Sequence, residues 1–136
     1  MSKASHLSGK AINITKTTAP HAISYPITTY FGLQHGHAVA LTLGKFFIIN
    51  SNVANIIDPR GAEYLKNTMS ELCKMFNVSS PVECKNKWYD LMRSIDLESS
   101  MKNIGIESKS QIDKIIRNIN VQRLNNNPVR LVVVMN

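Results

Sequence analysis

The chain is short of the residues that staple small proteins. It has two cysteines in 136 residues, Cys73 and Cys84, eleven positions apart. That spacing excludes zinc-ribbon and CxxC redox arrangements. Both cysteines fall in helical patterns, and partly buried, reduced thiols of a cytosolic protein are the reading that fits. A chain of this length buries roughly two-thirds of its unfolded surface and folds without staples. No apolar run approaches the roughly 18 residues of a membrane span. The opening MSKASHLSGK lacks the apolar stretch of a secretory signal, so a cytoplasmic location is expected. There is no internal repeat and no low-complexity linker.

Acidic residues are also scarce: 9 Asp and Glu stand against 16 Lys and Arg, for a net charge of +7. Such a balance would suit a polyanion. The basic residues are scattered, however, and the densest stretch, CKNKWYDLMR, is interrupted by Trp88, Tyr89 and Asp90. A solvated basic surface is expected, not a nucleic-acid interface.

What the chain does have is helix after helix. SKASHLSGKAINITKTT reads as a first helix with small residues on one side. Pro20 suits the first turn of a second, which runs to about Phe31 with Gly32 as its stop. Pro26 should kink that helix or end its first half. GHAVALTLGKFFIINSN is apolar nearly all round, which describes a buried central helix; it is the one run that also reads as strand. Asp58 and Pro59 look like an N-cap and first-turn proline. Beyond them Leu65, Met69, Leu72 and Phe76 form one stripe. Ser80 to Glu83 and Ser108 to Gln111 are capping boxes. The helix after the first carries Trp88, Leu91, Met92 and Ile95 as its apolar face. The helix after the second carries Ile112, Ile115, Ile116 and Ile119. RLNNNPVR is a turn or extended segment. LVVVMN is an irregular tail or a strand that needs another chain. The expected fold is all-α, six or so helices around the HAVALTLGKFFII helix, in one domain over 1–131 with 132–136 as a tail.

The run from Thr17 to Leu41, TTAPHAISYPITTYFGLQHGHAVAL, places three histidines in otherwise core-like sequence. His21 lies in the first turn of its helix and His35 opens the next. A hairpin of the two brings both imidazoles near one end. Neutral imidazole is the commonest ligand for divalent transition metals. Two ligands rarely make a tight site, and partly buried histidines bonded to the backbone are the plainer reading.

HAISYPITTYFGLQHGHAVALTL resembles the signature of the iron-containing (group III) alcohol dehydrogenases. In that family a His is followed, fourteen residues on, by a second His opening a buried helix. Here these are His21, in PHAISYP, and His35, in QHGHAVAL. SGKAINITKTTA, IIDPRGAEYLK and RLNNNP are similar too, and the whole resemblance spans residues 4–131. Within the family it leans towards members that reduce phosphonate-bearing aldehydes. The resemblance implies the helical C-terminal domain of the dehydroquinate synthase-like fold. It also implies that His21 and His35 ligate one divalent metal, Fe2+ or Zn2+, and that the full-length enzyme uses NAD(P). A further family histidine often stands where this chain has Tyr25, which could donate a hydrogen bond or pass a proton; core packing is the other reading of Tyr25.

The chain departs from the family in lacking the glycine-rich nucleotide loop and the Asp and His four apart that complete the metal shell. It is therefore expected to bind metal weakly if at all. It is also expected to be inactive alone, and to belong with an N-terminal nucleotide-binding domain or a split partner. Uncovered apolar faces, with Phe46, Phe47 and the LVVV tail as candidates, point to a homo-oligomer. A non-catalytic, self-associating helical interaction module is the alternative.

Overall fold

The computed structural model describes residues 1–132, and these hold seven α-helices: α1 (Ser2–Ile14), α2 (Ala19–Phe31), α3 (His35–Ile49), α4 (Gly61–Met75), α5 (Pro81–Ser94), α6 (Lys109–Arg117) and α7 (Val121–Leu124). The expected all-α fold is what forms. Of the LVVVMN segment, residues 133–136 lie outside the described residues. Among the described residues no helix is long and apolar enough to cross a membrane.

The central helix is α3, the run that also read as strand. It packs against α2 on one side and α5 on the other; α2 carries α6 and α7, and α5 carries α4. Phe46 and Phe47 are consecutive, hence about 100° apart around the helix. They enter different cores: Phe46 joins Ala19, Ala22 and Leu124, and Phe47 joins Leu65, Met69, Cys73 and Cys84. A third core gathers Ile27, Ala38, Ile106 and Ile115. By contrast α1 buries none of its residues.

Local chemistry sets most boundaries. Gly32 ends α2 at φ 69°, its N–H donating to the Thr28 carbonyl. The helix is continuous through Pro26, so the expected early end does not occur. Ser80 caps α5, and Ser108 with Gln111 forms a complete capping box on α6. Asn77 and Asp96 take left-handed φ of 54° and 57° just past α4 and α5. There Val78 N–H reaches the Cys73 carbonyl and Leu97 N–H the Met92 carbonyl, satisfying carbonyls the helices leave open.

Three expectations need correction. Asp58 does not cap α4: its carboxylate accepts from the Arg60 N–H and guanidinium, fixing a turn, and the helix starts three residues later at Gly61. The inward stripe of α5 is buried Cys84, half-buried Trp88 and buried Met92, spaced by four, while Leu91 and Ile95 are exposed. Ile119 lies beyond the end of α6 and packs on the Phe46 core.

The RLNNNPVR segment is both turn and extended. Val129 pairs antiparallel with Ile56, and Arg130 N–H donates to the Asn55 carbonyl at 2.8 Å. Buried Asn127 locks this return by donating to Asn50 Oδ1 and to the Val129 carbonyl.

The Cys84 and Cys73 sulfurs approach to 3.3 Å within the core. Burial, then the neighbouring Cys73, pushes the Cys84 thiol up to about 11. Since the thiolate is the reactive form, Cys84 is expected to resist iodoacetamide in the native chain, as is Cys73 through its burial, and both should react fully in denaturant. Mass spectrometry that finds either one labelled rapidly at pH 7 in the native protein would contradict this.

Candidate metal centre

The site grows out of the α2–α3 hairpin. His21 stands on the first turn of α2, where Pro20 sits at a position that needs no N–H partner. Three residues (Leu33 and its neighbours) connect the helices, so His35 at the start of α3 comes back beside α2. The His21 and His35 rings lie 5.6 Å apart between centroids, tilted by 59°. Tyr25, one turn after His21, lies 5.1 Å from the His35 ring. All three line one open recess of about 520 Å³, together with Lys16, Arg123 and Asn126.

Ser24 orients this group. Its side chain is fully buried, and its hydroxyl donates to the His21 carbonyl at 2.8 Å. The same oxygen lies 3.4 Å from His35 Nδ1. A hydroxyl that already donates to the His21 carbonyl can accept at the second contact, which favours the tautomer with the proton on His35 Nδ1. In that tautomer Nε2 carries the lone pair, through which an imidazole can ligate a metal. The His21 pKa is lowered by burial first, then by the His35 and Arg123 charges. The lowered value keeps the His21 ring neutral, the other condition for ligation.

The ring spacing can be tested against a shared ion. With a metal–nitrogen bond of about 2.1 Å, an imidazole centroid lies about 3.2 Å from the ion, and two rings at a tetrahedral angle have centroids about 5.3 Å apart. The observed centroid separation of 5.6 Å is close to that value. Among the described residues no group of three or more His, Cys, Asp or Glu is placed to hold a metal. The third histidine of the run, His37, is engaged elsewhere: its Nε2 meets the Glu98 carbonyl at 2.6 Å.

Sequence reasoning did not find Arg123. It comes from α7, 98 residues along the chain from Tyr25, and its guanidinium donates to the Tyr25 hydroxyl. The guanidinium carbon also lies 4.6 Å from the Tyr25 ring centre. Tyr25 is 39% exposed, so it is a wall of the recess and not a core residue. Ser24 could have been found, since it follows His21 by three and shares its face. No local pattern marks Arg123.

The class that emerges is an all-helical domain whose central hairpin presents paired imidazoles in an open recess. Residues 1–133 match the Fe-containing alcohol dehydrogenase family, C-terminal part, and the chain belongs to that family. Membership implies a metal and NAD(P) in the full-length enzymes. A curated relative, the phosphonoacetaldehyde reductase of Streptomyces viridochromogenes (strain DSM 40736), is 40% identical over 74 residues. That stretch is 53% of this chain and 19% of the relative, so the match spans about a fifth of that protein's length. No solved structure matches the chain. None of these matches supports the reading as a non-catalytic interaction module.

Proposed function

We propose that this chain is the metal-binding helical part of an NAD(P)-dependent alcohol dehydrogenase or aldehyde reductase, inactive until a nucleotide-binding domain completes it. The observation that carries the proposal is the His21–His35 pair, whose ring spacing suits one shared Fe2+ or Zn2+ ion. In the complete enzyme His21 and His35 would hold the metal, which would supply Lewis-acid polarisation of a carbonyl or alcohol oxygen, with hydride exchange supplied by NAD(P). This chain's residues bind and orient. Ser24 fixes the His35 ring, and the Arg123 guanidinium holds the Tyr25 hydroxyl at the recess. Because Tyr25 Oη accepts from Arg123, its own proton is free to be donated to a carbonyl oxygen bound there. Small aldehydes bearing a phosphonate are the proposed substrates, by likeness to the relative.

Protein supplies two ligands, so the remaining positions fall to water or to a partner. That partner is an N-terminal nucleotide-binding domain, a split subunit, or a second copy of the chain in a homo-oligomer. Exposed Leu7 and Ile14 of α1 give such a partner apolar surface to cover. The cytoplasm, with its reduced thiols, is the proposed location.

Calorimetric titration with Zn2+ or Fe2+ tests this reading. The chain should take up one ion weakly, His21→Ala and His35→Ala should each weaken uptake at least tenfold, and uptake should be lost in acid as protons compete for the rings, later for His21, whose pKa is lowered. Equal uptake by all three proteins would end the metal assignment.

A further inference from the structure

The recess beside the histidines is lined by two cationic side chains, Lys16 and Arg123, and by no Asp or Glu. Ion pairs among the described residues are Arg60 with Asp58 and Arg93 with Asp90, so neither Lys16 nor Arg123 is neutralised within them. We infer that Lys16, Arg123 and Asn126 form an oxyanion subsite that takes the phosphonate or phosphate end of the substrate whose carbonyl end reaches His21 and His35. The inference rests on the proposed aldehyde chemistry for the carbonyl end only.

The three groups are held for the task to different degrees. Arg123 is anchored through the Tyr25 hydroxyl and stacked on the Tyr25 ring. Of its five N–H donors, one has a partner among the described residues, and the planar fork suits the oxygens of a tetrahedral anion. Asn126 is fixed from the far side, its Nδ2 donating to the Thr17 carbonyl at 3.1 Å. That bond ties the Asn126 turn to the segment that carries Lys16. Lys16 adds a mobile charge with three donors.

Arg123 touches Tyr25 and Tyr25 stacks near His35, so the anion and the carbonyl would lie within one small molecule's length of each other. A recess of about 520 Å³ holds a two-carbon aldehyde with a phosphonate.

The consequence for specificity is plain. Neutral aldehydes leave both cations of the recess lining without an anionic partner, whereas a phosphonate would engage them by charge-assisted hydrogen bonds. Lys16 and Arg123 would therefore select anionic substrates.

The test uses the full chain without metal and inorganic phosphate as the probe, read by NMR on the Asn126 side-chain amide and the Arg123 Nε–H. Saturable shifts are expected at millimolar phosphate, with methylphosphonate competing. Arg123→Gln and Lys16→Gln should each weaken binding at least fivefold with unchanged far-ultraviolet circular dichroism. Lys114→Gln, a cation over Tyr30 on α2, should leave binding unchanged. Arg123→Lys should retain part of the affinity, which guards against a folding artefact. His35→Ala should still bind phosphate. Absence of saturable shifts, or equal weakening by Lys114→Gln, would overturn the inference. Binding of ADP at least tenfold tighter than methylphosphonate would also overturn it, because the recess would then belong to a nucleotide. Lost phosphate binding with intact zinc uptake rejects this subsite alone. The reverse rejects only the metal assignment.

Discussion

Ile27→Ala is expected to destabilise the chain by about 3–4 kcal/mol, a large part of the 5–15 kcal/mol that holds a domain together. Ile27 has no exposed surface and meets Ala38 of α3, Ile115 of α6 and Ile106 in one core. Removing three carbons leaves a void that three separate elements must collapse to fill, and partial collapse is why such losses exceed the transfer energy of the atoms removed. Urea unfolding followed by circular dichroism measures the cost, which at a slope of about 2 kcal/mol per molar moves the midpoint by about 1.5–2 M. Ile27→Val should cost about 0.5–1.5 kcal/mol. Leu7→Ala on α1, where nothing is buried, should stay within about 0.5 kcal/mol. A loss under about 1 kcal/mol for Ile27→Ala would mean that the three elements do not share a packed core. The site feels this core directly, since Ile27 stands on α2 two residues after Tyr25.

Gly44→Ala is the second large effect, and here the direction itself is diagnostic. In a free helix the change would stabilise by about 1 kcal/mol, because glycine is a poor helix former. At this position an added Cβ would lie 2.7 Å from Cζ of Tyr89, 2.8 Å from its Cε2 and 3.0 Å from its hydroxyl. The ring cannot retreat freely, as its hydroxyl donates to the Leu41 carbonyl at 3.1 Å and Trp88 beside it donates to the Ala40 carbonyl at 2.9 Å. Overpacking of this kind costs about 1–3 kcal/mol, which outweighs the helix gain and leaves an expected net loss of up to about 2 kcal/mol. In a Tyr89→Leu background the same Gly44→Ala should become neutral or stabilising. A coupling energy below about 0.5 kcal/mol in that double-mutant cycle would show that α3 and α5 do not approach as closely as the structure has them.

The sequence and the structure agree where the signal is local. Gly32, Ser80 and Ser108 act within four residues of themselves, and each marks the boundary expected of it. The His21–His35 pair was legible for the same reason, as one short loop joins the helices that carry it. Asp58 misled because a carboxylate can satisfy a turn as readily as a helix start, and Arg60 supplied the competing partner. Leu91 and Ile95 misled because spacing alone fixes a stripe only up to a rotation of the helix. Trp88 and Cys84 set that rotation by what they meet on α3 and α4. Arg123 was beyond reach, since its partner Tyr25 is chosen by how the chain returns through Asn127 and not by any neighbour in sequence.

That return has a kinetic meaning. The two imidazoles are 14 residues apart in the chain, whereas Tyr25 and Arg123 are separated by 98. Loop-closure entropy rises with the logarithm of length, so the sevenfold longer closure costs about 1.7 kcal/mol more before any contact rewards it. The histidine side of the recess can organise as soon as one hairpin collapses. The Arg123 side waits for the last turn of the chain to dock through Asn127 on Asn50. Folding is thus expected to assemble the pocket on two clocks, with the Arg123 charge arriving after the histidines.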